Sequence, residues 1–262
     1  MLAPTALAGI IWLPPLPFAI FMGIIICASA WEWARLAGLE GVQRWAYAAV
    51  LGIILAAIYL LPHSLKLWLL WLALPVWLIN IVLVAGYPDS TRYWRLRSIR
   101  AVMGLVMLAP AWLAINMLSD MGVGTYLILL LLFSVWVADI GAYFSGRAWG
   151  DRKLAPHVSP GKTWAGVYGG VAAALSVTWL FAVIFGILEP GNLLHWVWFG
   201  ALGLMTATIS VIGDLTESMF KRYAGVKDSS QLLPGHGGVL DRLDSVIAAL
   251  PFFTLMVIQM NL

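Results

Sequence analysis

Long apolar segments alternate with short polar ones along the whole chain. An apolar run of roughly 17–25 residues, rising about 1.5 Å per residue in a helix, can cross about 30 Å of hydrocarbon. The pattern predicts about nine such helices, the first of them short: 2–13, 18–36, 45–61, 65–85, 99–118, 125–144, 164–188, 194–213 and 240–262. The fold class is therefore expected to be all-α, in a polytopic integral membrane protein.

Composition supports the same class. Hydrophobic residues make up 62% of the 262 residues and charged residues only 10%, so a soluble globule could not cover its surface with polar side chains. The single cysteine, Cys27, excludes an internal disulfide. The modest net charge of +3 gives no support for a nucleic-acid partner.

Positive charges are distributed unevenly between the two ends of the expected helices. When the nine segments alternate in direction, every Lys and Arg except Lys66 falls on one side. By the positive-inside rule that side is cytoplasmic, with the amino terminus inside and the carboxyl terminus outside. The longer polar loops, 86–98, 145–163 and 214–240, lie on the same side, so we expect the active site to face the cytoplasm.

An arginine run occupies the first of these loops and the helix start that follows it. It comprises Arg92, Arg95, Arg97 and Arg100. Topology and contact with anionic lipid head groups, worth about 1 kcal/mol per charge, are the expected roles. Contact with a substrate is the alternative that the sequence leaves open.

The densest cluster of charges lies near the carboxyl terminus. Four residues spaced by three and four share one face if the helix continues past Gly213: Asp214, Glu217, Ser218 and Lys221. Asp241 and Asp244 have the same spacing at the start of the last segment. Carboxylates converging from two helix ends would suit Mg²⁺, which prefers one or two carboxylates with waters and phosphate oxygens. Helix capping is the alternative explanation for Asp241.

A glycine-rich loop joins these two helices. Gly235, Gly237 and Gly238 allow close backbone approach, and their amides could surround an anion. Four cations nearby could bind a polyphosphate: Lys221, Arg222, Lys227 and Arg242. Charges of both signs near a bilayer are costly without a function, so the sequence predicts a phosphate and metal site here.

Two further candidates lie upstream. Asp139 is an acid within an apolar helix, about two turns from its expected end, and is either a site residue or a structural partner of Lys162 or Arg147. Lys162 belongs to a Gly-Lys-Thr sequence that suggests a P-loop. Pro156 replaces the earlier glycine and no strand is expected before the segment, so we interpret Lys162 as a phosphate contact instead.

Ordered motifs across the second half resemble the signature of bacterial phosphatidate cytidylyltransferases, also called CDP-diacylglycerol synthases. They are ADIGAY at 138–143, SPGKTW at 159–164, GDLTESMFKR at 213–222, KD at 227–228, PGHGG at 234–238 and DRLD at 241–244. The resemblance implies a bacterial inner-membrane enzyme in which a phosphate oxygen of phosphatidic acid attacks the α-phosphorus of CTP. Residues 1–262 would form one domain, with 1–120 mainly scaffold and 125–262 carrying the site.

The resemblance also implies roles for individual residues. Asp214 and Asp241 would bind Mg²⁺, with K⁺ as a neighbouring monovalent cation. Lys221, Arg222, Lys227 and Arg242 would bind phosphates, and Asp228 and Asp244 would orient those cations. The expected substrate-binding residues are Ser159, Lys162, Asp139, Glu217, Ser218, Gly237 and Gly238. His236 would either act as a general base or shape the glycine loop and donate to phosphate.

Other functions remain open at this stage. Asp139 and Asp214 could form the ion-coupling path of a secondary transporter, although no internal repeat is evident and most charges gather on one side. A CTP-dependent lipid kinase, or a cytidylyltransferase for another lipid, would use similar residues. A homodimer is also open, since Gly166 and Gly170 have the small-xxx-small spacing of packed membrane helices.

Overall fold

A computed structural model describes residues 2–186, 191–235 and 237–260. Within these residues the chain forms ten helices and one short antiparallel hairpin. The elements are α1 Leu2–Trp12, α2 Pro15–Leu36, α3 Val42–Tyr59, α4 His63–Ala85, α5 Thr91–Trp94, α6 Arg97–Ser119, α7 Gly124–Trp149, β1 Lys153–Ala155, β2 Ser159–Thr163, α8 Trp164–Ile184, α9 Leu193–Tyr223 and α10 Leu240–Gln259.

Each of the nine apolar segments contains a helix, which confirms a helical polytopic membrane protein. Among the helices of the described residues, seven are long and apolar enough to cross a membrane: α2, α3, α4, α6, α7, α8 and α9. The other two expected helices are α1, with only 11 residues, and α10, whose first five residues include three charges. The expected ends of two segments, 188 and 262, lie outside the described residues.

α10 lies at the centre of the helix bundle. Its residues 245–255 are all buried, and it packs against α9, α6, α4 and α7. The facing part of α6 is buried over residues 111–118. α10 begins at the buried Leu240, so the last residues of the loop before it, Gly238 and Val239, are buried as well.

Small residues allow α7 and α8 to pack closely. A Cβ atom at Gly166 would lie 3.0 Å from the carbonyl oxygen of Ala142, and one at Gly170 would lie 2.8 Å from that of Ala138. Both spacings are tight, so these two positions bring the helix backbones together within one chain. The small-xxx-small spacing is thus explained by internal packing.

Three expectations about the elements were wrong: the ends of α7 and α9, and the absence of a strand before the Gly-Lys-Thr sequence. α9 ends at Tyr223, ten residues beyond the expected end at Gly213, so the first part of the expected loop 214–240 is helical. α7 continues through Arg147 to Trp149, so Asp139 lies ten residues, almost three turns, from its end rather than two. A strand does precede the Gly-Lys-Thr sequence, because β1 pairs with β2, and Lys162 lies within β2 itself. The expectation of no strand was therefore wrong. The absence of a P-loop stands on Pro156 and on this hairpin geometry.

The arginine run is not uniform. Arg92, Arg95 and Arg97 are exposed, as contact with lipid head groups requires. Arg100 is buried, and its guanidinium donates to the carbonyl oxygen of Ala37 at 3.0 and 3.2 Å. Its role is to fix the end of α2 against α6, which corrects the expectation of a topology and lipid contact.

Candidate active site

The end of α9 presents one charged face. The helix continues without a break from Leu193 to Tyr223, so the conditional expectation of a continued helix is confirmed. Ser218 Oγ donates to Asp214 Oδ1 at 3.1 Å, and Lys221 Nζ lies 3.0 Å from Glu217 Oε2. Both pairs are four residues apart, as the shared face requires.

An ion pair joins α9 to α10. Lys221 Nζ lies 2.7 Å from Asp241 Oδ1, and both side chains are largely buried, with 12% and 8% of their surface exposed. Lys221 also contacts Glu217, so one ammonium neutralises carboxylates from two helices. The two charged helix ends therefore meet, as the spacing of the acids predicted.

Asp241 is also the anchor of the loop before α10. Its Oδ2 accepts from the backbone amides of Ser229 at 2.9 Å and Gly238 at 2.8 Å, and from the hydroxyl of Ser229 at 3.0 Å. The carboxylate does not cap its own helix, because the first amides of α10 have another acceptor. That part of the capping alternative is wrong.

The acceptor for the amides at the start of α10 is Glu32, in the last turns of α2. This carboxylate is fully buried and accepts from the amides of Val239 at 3.0 Å and Leu240 at 2.6 Å. The hydroxyl of Ser230 donates to the same group, and that of Ser229 lies 3.2 Å from Glu32 Oε2 as well as 3.0 Å from Asp241 Oδ2, so its one proton is shared between the two carboxylates. A buried carboxylate with this many donors satisfies the helix end and the loop together.

Gly238 is required by this arrangement. A Cβ atom at that position would clash with the hydroxyl of Ser229 and lie 2.6 Å from Glu32 Oε1. Gly237 has φ of +82°, a left-handed conformation that favours glycine. The two glycines thus shape the loop around Glu32 and Asp241. Whether they also contact substrate stays a prediction.

A polar pocket of about 440 Å³ lies between α7, β2, α8 and α9. Asp139, Lys162 and Asp214 line it, and Lys162 Nζ lies 2.6 Å from Asp214 Oδ2. Asp139 is close enough to both to interact electrostatically. The side chains of Lys162 and Asp214 are 24% and 33% exposed, so an incoming anion or cation can reach them.

The acids continue from this pocket toward the loop anchor. Asp244 lies near Asp214 and against the buried Glu217, and Glu217 interacts in turn with Asp241. Oε1 of Glu217 has no hydrogen-bond partner of its own among the described residues. Two carboxyl groups in contact readily share a proton, and a proton shared with Asp244 would give this atom a partner. The row of acids is interleaved with two lysines, Lys162 and Lys221.

The remaining predicted residues lie around this centre. Arg222 donates through Nε to the carbonyl oxygen of Val158 at 3.2 Å, which ties α9 to the hairpin. Ser159 begins β2, and Arg242 is exposed in the first turn of α10. Lys227 and Asp228 are exposed on the loop. His236 lies outside the described residues.

Sequence reasoning missed Glu32 as a site residue. The signal was present, because an acid between Trp31 and Trp33 in an apolar segment needs a partner. The partner could not be named, since Ser229 is 197 positions away in the chain. Arg35, one turn later, donates to the carbonyl oxygen of Ser229 at 3.2 Å and adds a second link from α2.

The carboxylate oxygens of the site suit a divalent cation that takes some of its ligands from the protein and others from a substrate. Within the described ranges, no three His, Cys, Asp or Glu side chains form a closed metal cage. Mg²⁺ does not need one, because it commonly binds one or two carboxylates together with waters and phosphate oxygens. The oxygens of both Asp214 and Asp241 already accept from protein donors, but the Asp214 side chain is 33% exposed in the polar pocket and that of Asp241 only 8%, so Asp214 is the more accessible ligand.

Comparisons with known proteins identify the family of the chain. The model of the cytidylyltransferase family matches residues 1–260. A protein of Pseudomonas aeruginosa named phosphatidate cytidylyltransferase is 49% identical, with 97% of this chain and 92% of that protein covered. Proteins of the same name from Haemophilus influenzae and Brucella suis are 40% and 37% identical, covering 97% and 91% of this chain and 94% and 83% of their own length. The chain belongs to the cytidylyltransferase family.

Proposed function

We propose that this protein is a phosphatidate cytidylyltransferase of the bacterial inner membrane. A phosphate oxygen of phosphatidic acid forms a bond to the α-phosphorus of CTP, and the bond from that phosphorus to the β-phosphate oxygen breaks. The products are CDP-diacylglycerol and pyrophosphate. Support comes from relatives of that name that match nearly the whole chain.

The observation that carries the proposal is the Lys162–Asp214 pair in the polar pocket, next to the Lys221–Asp241 pair. Transfer of a nucleotidyl group needs in-line positioning and stabilisation of charge rather than an enzyme nucleophile. Cations alternating with carboxylates provide that environment: lysines attract phosphates, and carboxylates can hold a metal ion. No covalent intermediate is needed.

The individual roles follow from position. Lys162 is placed to bind a phosphate inside the pocket once it leaves Asp214, and the exposed Lys227 and Arg242 are placed to meet phosphates entering from outside. Lys221 and Arg222 hold the site together through Asp241 and the hairpin, and any contact with phosphate is additional. Asp139, which lines the pocket, and Ser159, at the start of β2, remain proposed substrate contacts.

Mg²⁺ is the proposed cofactor, and Asp214 is the residue best placed to hold it. Asp241 would join it only by exchanging one of its present donors. When bound, Mg²⁺ would offset the negative charge that builds up as pyrophosphate departs. A neighbouring K⁺ stays a prediction, as does the role of His236.

We also propose that α1 and α10 complete a set of nine membrane helices. The positive-inside rule then places the amino terminus and the active site in the cytoplasm and the carboxyl terminus outside. This orientation is consistent with the chemistry, because CTP is supplied from the cytoplasm. That the protein forms a homodimer stays a prediction.

The test is a product assay with purified protein, phosphatidic acid and CTP labelled at its α-phosphate. We expect label in the lipid and one pyrophosphate per lipid formed. Release of labelled CDP would instead identify a CTP-dependent lipid kinase. Absence of both products, with the protein correctly folded, would overturn the proposal and return the transporter hypothesis to consideration.

A further inference from the structure

A second cavity lies on the other side of Glu32's helix. It is an apolar groove of about 900 Å³ between α2 and α3, which we call the α2–α3 groove. Its lining runs along α2 from Leu16 to Trp31 and along α3 from Trp45 to Leu60, with Trp112 at its floor. None of its lining residues belongs to the polar pocket.

The groove has the dimensions of a lipid chain. Fifteen residues separate Leu16 from Trp31 on α2, which corresponds to about 22 Å along the helix. The hydrocarbon of one leaflet is about 15 Å deep, half of the bilayer core. A chain entering beside Trp31 would therefore find an apolar path through the whole of its leaflet.

The Trp31 end of the groove carries hydrogen-bond donors without acceptors. Arg44 lies with its guanidinium carbon 3.4 Å from the centre of the Trp31 ring, and its Nε donates to the Trp31 carbonyl at 3.1 Å. Its Nη2 is buried and has no hydrogen-bond partner among the described residues; the same is true of Trp31 Nε1. Buried donors of this kind, one of them charged, are costly unless an acceptor completes them.

Positive charge at this end is offset only in part, by the charge of Glu32. Arg35 lies close enough to Arg44 for the two charges to repel. The only nearby acid on α2, Glu32, is already surrounded by donors from the loop and α10 in the described structure. A phosphate oxygen would accept from Arg44 and Trp31 and would reduce the repulsion between the arginines.

We propose that the α2–α3 groove binds an anionic phospholipid that does not react, with one acyl chain in the groove and its phosphate at Arg44 and Trp31. The proposed occupant is distinct from the reacting lipid, whose phosphate is expected in the polar pocket; the two cavities share no lining residue. The bound chain would pack against Leu232, which lines the groove and lies two residues after Ser230 on the loop held by Glu32. The lipid would thus support the loop that Asp241 anchors.

The test counts lipids bound to the purified full-length protein by native mass spectrometry. Phosphatidylglycerol is the probe, phosphatidylcholine the zwitterionic comparison with no net charge, and phosphatidic acid the comparison for the reacting lipid. Arg44→Gln is expected to weaken phosphatidylglycerol binding about tenfold or more. Ala56→Phe, at an exposed groove position, is expected to block it by filling the space. Arg152→Gln is the matched control, because Arg152 is exposed and its guanidinium lies 5.6 Å from the centre of an aromatic ring, that of Trp164, outside the groove.

Binding by wild type and Arg152→Gln, with loss in both groove variants and unchanged melting temperatures, would support the site. Equal binding of phosphatidylcholine would overturn the anionic preference. Binding of phosphatidic acid alone would mean that the groove serves the reacting lipid, which contradicts the proposal. Unchanged binding in both groove variants would also overturn it. The readout does not use catalysis, so it stands apart from the assay of the proposed function.

Discussion

Glu32 accepts a hydrogen bond from the backbone amide of Leu240 at 2.6 Å, which joins the last turns of α2 to the first residue of α10. The two residues are 208 positions apart in the chain. The active-site loop is therefore fixed from the amino-terminal half of the protein. A division into a scaffold half and a site half describes the charges well but does not describe what holds them.

Replacing this carboxylate should affect both activity and stability. Glu32→Gln keeps the shape but puts an NH₂ group where four donors now converge, so we expect a loss of about 2–3 kcal/mol of stability and a large fall in turnover. Thermal melting in detergent and the rate of CDP-diacylglycerol formation measure the two effects. Glu40→Gln is the control, because Glu40 is exposed. Equal behaviour of the two variants would contradict the positioning role.

Asp214→Asn should remove the accessible carboxylate of the polar pocket. We expect a fall in kcat/KM of about 100-fold or more with the melting temperature nearly unchanged, because the side chain is partly exposed. Titration with Mg²⁺ should no longer restore activity after treatment with a chelator. Asp89→Asn, at an exposed acid, should titrate like wild type. A wild-type Mg²⁺ response in Asp214→Asn would exclude this residue as a ligand.

The Lys221–Asp241 pair predicts strong coupling between two helices. Breaking a buried pair by removing one partner typically costs about 3 kcal/mol or more, so Lys221→Met and Asp241→Asn should each destabilise the protein. The double variant should lose less than the sum. Denaturant unfolding in detergent measures the cycle. The comparison cycle of Lys66→Met with Asp241→Asn should be additive; additivity for Lys221 as well would show that the pair is not coupled.

Lys227→Ala tests the exposed part of the loop. Its side chain is exposed, so we expect little change in melting temperature and an increase of about fivefold in the KM for CTP or phosphatidic acid. Initial rates at varied concentrations of each substrate provide the measurement. Lys66→Ala serves as the control. Unchanged KM values for both substrates would argue against contact between Lys227 and phosphate.

The helices could be predicted because their signal is local. Apolar length alone located nine helical segments. The spacing of Asp214, Glu217 and Lys221 indicated one shared face if the helix passed its expected end at Gly213, and α9 does continue to Tyr223. Helix ends were predicted less accurately where a helix continues past its first charged residue. α7 continues through Arg147 to Trp149, because backbone hydrogen bonds within a helix form with polar and apolar side chains alike.

Long-range contacts could not be predicted from the pattern. The hairpin that carries Lys162 has few apolar residues to indicate strands, and its pairing with α9 depends on the carboxylate of Asp214. The buried positions of Glu32 and Arg100 depend on partners that are distant in the chain or belong to backbone carbonyls. A single sequence reveals that such charges need partners but does not identify them.

The 31 residues of α9 form one helix of about 46 Å, longer than the roughly 30 Å of hydrocarbon in a bilayer. Its carboxyl-terminal turns extend beyond the hydrocarbon, and Asp214 and Lys221 lie on this extension of the helix. A water-soluble nucleotide and the head group of a lipid can then meet at the membrane surface. The charged nucleotide does not have to enter the hydrocarbon, and the acyl chains do not have to leave it.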